Sequence, residues 1–474
     1  LNGKLDFRFG KELARRNGLP VLPYDLTIDD LTAYIIAIRR MDMRYTEPVF
    51  AHMHTTVQRT RELLMGMVPD AAVYVTDDKG RIQTFVSRRN VGMNREGVVE
   101  HSGILAKQMI GSLEDLRNPG NIVTAKEGIS LTDAKALMKK HGVKQLPIVD
   151  ETGRVIHKLT RMNIRHSEGL AKYELHGSRE VAVAIGISNV KDMLERTDAA
   201  IQAGASFITF ETAHANRRDV IRKYGSDFLP QVAKSLSPAE EVAMIKDQAK
   251  DVRAVIAHIK AKSKDRPILI GFGTVTSPEA VRLLAALGVD VVKVGIGGGG
   301  QCTTFDATGV GGPPFRYMWD CGKAAAALGI QIMADGSMNS RRRTGIVSGL
   351  TGVGLLQIGT WFGTVAEAAS PKSLNENGDW VAETYGEASK KAIMLRAQAA
   401  GIAVEDDDDL AMHAEGKVVM AKMDHGQFGT VGGIQLGVAQ AQASTAAYGD
   451  ARTTEEYQEQ MLIRRITKTP TKVA

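Results

Sequence analysis

The sequence predicts an α/β protein, a (β/α)8 barrel interrupted by an inserted tandem repeat. Three observations carry this reading. From Val181 onward strand and helix signals alternate steadily, as in a parallel sheet with helical crossovers. Between Thr46 and Asn163 one order of elements occurs twice. A largely apolar strand, Val289 to Val294, runs straight into four consecutive glycines and a cysteine.

The elements follow in order. Phe9 to Gly18 reads as a short helix ended by Gly18, and Leu19 to Pro23 as a short buried strand. Thr27 then caps a helix from Ile28 to about Arg39. The first repeat has Pro48-Val49, a helix over Thr56 to Leu64, a strand at Ala72 to Val75, and an acidic turn at Asp77 to Arg81 leading to Phe85-Val86. The second has Ile122-Val123, a helix over Leu131 to Lys139, a strand at Gln145 to Val149, and a turn at Asp150 to Arg154 leading to Lys158-Leu159. Gly80 and Gly153 hold the same place in the two turns. Strands are expected at Val181 to Ile185, Phe207 to Phe210, Ile268 to Ile270, Val289 to Val294, Ile330 to Met333 and Leu355 to Ile358, with helices such as Ala239 to Lys260 and Pro278 to Leu287 between them. With the strand at Leu19 this makes seven. A closed barrel of this type has eight, so the reading expects the chain to lack about one N-terminal βα unit. The division is then residues 1–44 as the first part of the barrel, 45–168 as the repeat pair and 169–474 as the rest.

Beyond Gly363 the pattern reads as flaps. Ser370 to Asp379 is loop-like, Tyr385 to Ala399 helical, Glu405 to Asp409 a solvated acidic loop, Ile434 to Tyr448 a last helix and Pro470 to Ala474 a tail.

Composition narrows the class. The chain has 474 residues, 43% hydrophobic and 24% charged, which is ordinary for a globular protein. No apolar run approaches a membrane span and no signal peptide opens the chain. Two cysteines, Cys302 and Cys321, exclude a disulfide scaffold and point to a reducing cytoplasm. Cys321 sits in a helical context and reads as a small core residue. The net charge of +6 raises nucleic acid as a partner. Arg341 to Arg343 and Arg464-Arg465 are basic clusters without interleaved aromatics, so a solvated or phosphate-handling face is the better reading.

The stretch Gly295-Ile296-Gly297-Gly298-Gly299-Gly300-Gln301-Cys302-Thr303-Thr304, followed by Gly309-Val310-Gly311-Gly312, places a thiol and two hydroxyls on a loop free to approach a ligand. A plausible nucleophile site and a flexible turn with an incidental cysteine both fit that spacing. Cys302, Thr212, Asp335 and Thr360 all fall after expected strand ends, where barrel enzymes place their chemistry.

This loop resembles the active-site loop of the inosine monophosphate dehydrogenase and guanosine monophosphate reductase family. Thr212-Ala213-His214, Met333-Ala334-Asp335-Gly336, Gln357-Ile358-Gly359-Thr360 and Glu383 to Lys390 resemble further segments of it, in the same order. The resemblance implies a TIM-type barrel in which the Cys302 thiolate attacks C2 of a purine nucleoside monophosphate, with Thr304 relaying a proton. It implies Glu415, in Glu415-Gly416-Lys417, as the group that protonates a leaving amine or activates water. Asp335 would accept from ribose hydroxyls, and the amides of Gly336, Gly359 and Thr360 would cradle the phosphate. Gly300, Tyr385 and Gly386 would complete the substrate side. Glu211, Thr212, Gly271 and Gly295 would face a nicotinamide cofactor, and carbonyls of Gly297, Gly299 and Cys302 would hold a potassium ion.

The dehydrogenase branch of the family carries an Arg-Tyr pair in the flap before its Glu-Gly, and Gly401 to Ala414 contains neither residue. The resemblance therefore implies NADPH-dependent reduction of GMP to IMP. The alternatives are NAD-dependent oxidation of IMP to XMP, or a catalytically weak nucleotide-binding regulatory protein. The last rests on departures from the family pattern at Gly300, Phe305, Glu211, Thr274, Glu387 and Ser337. The repeat resembles a tandem pair of CBS domains, which often bind adenine or guanine nucleotides through an Asp after the last strand. Asn90 and Asn163 stand at those places here, so a structural insert is as good a reading. Family barrels form tetramers, and their CBS pairs octamers. The strand at Leu19 to Leu22 is expected to be an exposed apolar edge, blunted by Pro20 and Pro23.

Overall fold

The computed structural model describes residues 7–52, 54–65, 67, 72–91, 122–187, 190–212, 215, 252–264, 266–399, 414–424 and 426–461. The acidic run at 405–409, Arg464-Arg465 and the tail from Pro470 lie outside the described residues, as do 239–251 of the long expected helix, which is described as Val252–Lys262.

The first helix, Phe7–Arg15, ends before Gly18. Asn17 takes the left-handed conformation (φ 62°), and the Gly18 amide returns to the Leu13 carbonyl at 2.9 Å. The turn residue is thus Asn17, whose short polar side chain tolerates this region. Strand β1 is only Val21–Leu22; it pairs with one neighbour and so lies at an edge of the described sheet, as expected, while its Leu22 side chain is fully buried. Thr27 caps Ile28–Arg40 by accepting from the Asp30 amide at 3.1 Å.

The insert forms two small sheets. One holds β2 (Phe50–His52), β3 (Ala72–Thr76) and β4 (Ile82–Ser87), beside the helix Val57–Met65. The other holds β5 (Ala125–Lys126), β6 (Gln145–Val149) and β7 (Val155–Thr160), beside the helix Leu131–Lys140. The opening strands start two to three residues later than expected. Pro48 has no N–H for a ladder, and pairing begins at Phe50 with Tyr74 and at Ala125 with Ile148. Both hairpin turns are built alike, with Gly80 at φ 74° and Gly153 at φ 81°, and Arg81 bridges to Arg154. The ends of the insert also meet: Thr46 and Lys158 exchange two backbone hydrogen bonds of 3.0 Å. The helix Arg161–Ala171 then leads back to the main sheet.

That sheet adds β8 (Ala182–Gly186), β9 (Phe207–Glu211), β10 (Leu269–Val275), β11 (Val291–Val294), β12 (Gln331–Asp335) and β13 (Val353–Gln357). Its order is β1-β8-β9-β10-β11-β12-β13, parallel throughout: a curled sheet of seven strands, the arrangement of a partial (β/α)8 barrel. Ala182, Phe207, Val291 and Met333 fill the concave side, while Ile208, Phe210, Ile270, Val292 and Ile332 face the helix layer. Alternation along each strand then carries Glu211, Lys293 and Asp335 to the concave side at the C-terminal ends. The helix Pro278–Leu287 has the expected bounds, with Ser277 as its cap and Gly288 left-handed after it.

The flap region is more ordered than the sequence suggests. β14 (Lys372–Leu374), β15 (Trp380–Tyr385) and β16 (Val418–Lys422) form an antiparallel sheet. Tyr385 therefore ends a strand, and the following helix is Lys390–Ala399. The last long helix is Val431–Tyr448. No described helix is long and apolar enough to cross a membrane.

Candidate active site

The loop after β11 is shaped by close backbone approach. Gly295 has φ 130°, and a Cβ there would lie 2.0 Å from the Asp335 carbonyl oxygen. Beyond it the Cys302 amide donates to the Gly299 carbonyl at 3.2 Å, closing a tight turn in the loop. Thr303 precedes a short helix, Thr304–Thr308.

The flap is stitched to this loop. Gly416 bridges both Cys302 and Ser389, the Thr303 amide donates to the Glu415 carbonyl at 2.9 Å, and the Lys417 amide to Gln301 at 2.9 Å. Gly386 donates to the Lys417 carbonyl at 3.2 Å, and Glu415 to Ala388 at 3.0 Å. The side chains align as a result. The Cys302 thiol lies 3.3 Å from the Thr304 hydroxyl, which donates to a Glu415 carboxylate oxygen at 2.7 Å. The arrangement offers a half-buried nucleophile, a hydroxyl that can pass a proton, and a carboxylate to receive or supply it. Cys321 is buried in the helix Pro314–Ala327, and burial pushes its thiol up to about 12. Such a thiol is inert at neutral pH.

Around the thiol, Asp335 ends β12 and Gly336 follows it in the left-handed region, against Gly298 and Gly299. Burial raises the Asp335 carboxyl above the ordinary range, Lys293 opposing and Glu211 adding to the effect. Gly359 precedes the short helix Thr360–Gly363 and is open, with no atom near its missing Cβ. Tyr385 sits at the end of β15 under the Lys391 ammonium. Glu211 ends β9 with Thr212 after it, the Thr212 amide bonded to the Gly273 carbonyl at 3.1 Å. Gly271 lies deeper: the Phe207 ring and Thr209 hydroxyl occupy the space over it, so it has no open face at the mouth. Gly297 and Gly299 stay on the cysteine loop, which offers a metal only neutral carbonyl oxygens. No cluster of His, Cys, Asp and Glu suited to a metal exists among the described residues.

The departures have local explanations in part. Ser337 is left-handed (φ 62°), and its hydroxyl donates to the Gly298 carbonyl. Glu387 is held by Arg396 at 3.1 Å. Phe305 is exposed and packs beside Gly297 and Gly312. Nothing lies within 4 Å of a Cβ built on Gly300, so the space there does not demand glycine.

A family model described as "IMP dehydrogenase / GMP reductase domain" matches residues 239–472, and a CBS domain model matches residues 113–168. Residues 239–472 thus match a domain of the IMP dehydrogenase / GMP reductase family. Among curated relatives of this family, inosine-5'-monophosphate dehydrogenase of Halalkalibacterium halodurans is 26% identical over 69% of this chain and 58% of its own length. That of Staphylococcus haemolyticus is 29% identical over the same shares. The chain thus spans less than two thirds of the curated relatives it matches. A solved cysteine-to-alanine GMP reductase from Trypanosoma brucei with guanosine 5'-monophosphate superposes with a TM-score of 0.53 at 19% identity, covering 98% of this chain and 87% of that one. The same variant without the nucleotide gives 0.52, over 98% and 86%. These two structures share the fold.

Sequence reasoning missed Lys293 by reading it within an apolar run. A charged residue flanked by valines in a strand that ends at the site was the available signal. In the CBS pair both asparagines are engaged locally. Asn90 accepts from Ser87, and Asn163 from the Thr160 hydroxyl at 2.5 Å. Beside Asn163, a cavity of about 110 Å³ lies between the insert and the first helix, lined among others by Arg8, Glu12, Lys158 and Glu367.

Proposed function

We propose that this chain catalyses the NADPH-dependent reductive deamination of GMP to IMP. The observation that carries the reading is the line from Cys302 through Thr304 to Glu415, closed by a flap whose Glu-Gly-Lys segment pairs with the cysteine loop. Cys302 adds as thiolate to C2 of the purine. The C2–N bond to the exocyclic amine then breaks, and Glu415 with Thr304 protonates the departing ammonia. Asp335 accepts from the ribose hydroxyls, and the amides at Gly336, Gly359 and Thr360 face the phosphate. NADPH, when bound, would supply the hydride to C2 as the C2–S bond to Cys302 breaks, which would release IMP and the thiolate. In this reading Glu211 and Thr212 would hold its ribose and nicotinamide.

A potassium ion fits the carbonyls of Gly297, Gly299 and Cys302, because an all-carbonyl neutral donor set suits a large monovalent cation. Its contribution would be to hold the cysteine loop. A cytoplasmic setting and a homotetramer complete the reading.

IMP dehydrogenase is the second reading, favoured by the names of the curated relatives. Following reduced-nicotinamide absorbance separates the two. Loss of NADPH with GMP supports the reductase, and formation of NADH from IMP supports the dehydrogenase. Silence in both, with purine nucleotide still bound, supports a regulatory homologue.

A further inference from the structure

Lys293 is a charged residue of the barrel mouth that the proposed mechanism does not use. It is 7% exposed, on an interior strand of the sheet, where an unpaired ammonium is costly. Its placement follows from register. Glu211, Gly273 and Lys293 are aligned across β9, β10 and β11. The glycine between them leaves a gap. A Cβ on Gly273 would come within 2.5 Å of the Lys293 Cβ and 2.6 Å of its carbonyl oxygen. With that gap open, Lys293 reaches over the intervening strand and forms an ion pair with one oxygen of Glu211. The other Glu211 oxygen accepts from the Thr209 hydroxyl at 3.3 Å. On its opposite side Lys293 neighbours β12, which ends in Asp335.

We propose that Lys293 is a positioning residue of this site, which reaches across Gly273 to fix the Glu211 carboxylate beside the end of β12, so that Glu211 and Asp335 stay aimed at the riboses of two bound nucleotides. The inference rests on the reading of Asp335 as the contact for the purine nucleotide and Glu211 as that for the dinucleotide. Two carboxylates sharing a half-buried mouth repel one another, and a cation paired with one of them offsets that repulsion. Burial works against the Lys293 charge, yet Glu211 and Asp335 together keep its pKa above the ordinary lysine value. A carboxylate offers an acceptor on each oxygen, which matches the two hydroxyls of a ribose diol.

The test uses the full chain and equilibrium binding, so it does not depend on which reaction is catalysed. GMP, IMP, NADPH and NAD are titrated calorimetrically into wild type, Lys293→Met and the Lys293→Met/Glu211→Gln double variant, with thermal melting alongside. Lys293→Met is expected to weaken both a purine monophosphate and a dinucleotide by about tenfold or more, the scale of a lost charged hydrogen bond. The double variant removes the repelling carboxylate together with the cation. It should regain purine monophosphate affinity to within about threefold of wild type, at roughly the precision of double-mutant cycles, while dinucleotide affinity stays low. Replacing both members of a buried pair is commonly tolerated, so the double variant decides the matter even where the single one does not fold. Wild-type affinities in Lys293→Met, or equal losses of the monophosphate in single and double variants, would overturn the proposal. A wild type that binds IMP and NAD in preference to GMP and NADPH would overturn the reductase reading and leave the Lys293 test intact with those ligands.

Discussion

The Thr304 hydroxyl donates to the Glu415 carboxylate at 2.7 Å, although 111 positions separate the two in the chain. The contact exists because β15 and β16 pair and bring Gly416 beside Cys302. Thr304 thereby stands between a nucleophile and an acid–base group.

Replacement of Thr304 by Val or Glu415 by Gln should lower turnover by about 10²-fold or more, the usual contribution of a positioned acid or base. Combining them should cost little more than the worse single change, because groups that act as one unit are not additive. Steady-state rates of the three variants check this. Additive losses would mean that the two residues act separately.

Cys302→Ala should abolish turnover, and Cys321→Ala should leave the rate near wild type while lowering stability by about 1 kcal/mol or less, as for a small loss of core volume. Alkylation followed by peptide mapping should label Cys302 alone, since Cys321 is buried with its thiol pushed up to about 12. Labelling of Cys321 first, with loss of activity, would reassign the nucleophile.

Much of this arrangement was legible in the sequence, and the exceptions have a common cause. The helix Pro278–Leu287 was readable to the residue because Ser277, Pro278 and Gly288 are local signals. The order of the seven strands followed from alternation. What local pattern could not show was pairing between distant segments. Of the β14–β15–β16 sheet, the sequence pattern places Lys372–Leu374 in a loop and Tyr385 in a helix and gives no strand signal for the rest, because these strands gain meaning only from one another. Lys293 was hidden for the same reason: its partner lies two strands away, and the glycine that lets it pass is on the strand between. Gly271 carried no hint that Phe207 covers it.

Gly295→Ala should destabilise the barrel by roughly 2 kcal/mol or more, combining a left-handed backbone with a clash. The added Cβ would meet the Asp335 carbonyl, so purine nucleotide binding should weaken as well. Thermal melting and calorimetry measure the two effects. An Ala variant as stable as wild type would contradict the close approach of the β11 and β12 ends.

Stability should depend on pH through two groups near the junction of barrel and insert. Burial, with Arg16 adding, lowers His166 from 6.5 to about 4. Its contribution is present above pH 6.5 and is lost as pH falls through 4. Burial, with Glu12 adding, raises Glu367 from 4.5 to about 7. Its contribution is present below pH 4.5 and is lost as pH rises through 7. Each slope is at most about 1.4 kcal/mol per pH unit. Relative to wild type, His166→Gln should therefore gain stability at pH 5 compared with pH 7.5, and Glu367→Gln at pH 8 compared with pH 5. Denaturant midpoints across this range provide the check, and opposite signs would place the burial elsewhere.

The most direct measurement of the central claim is product analysis on the full chain supplied with GMP and NADPH. The account predicts stoichiometric IMP, ammonia and NADP, with none formed by Cys302→Ala. XMP and NADH from IMP and NAD, with no ammonia released from GMP, would contradict it.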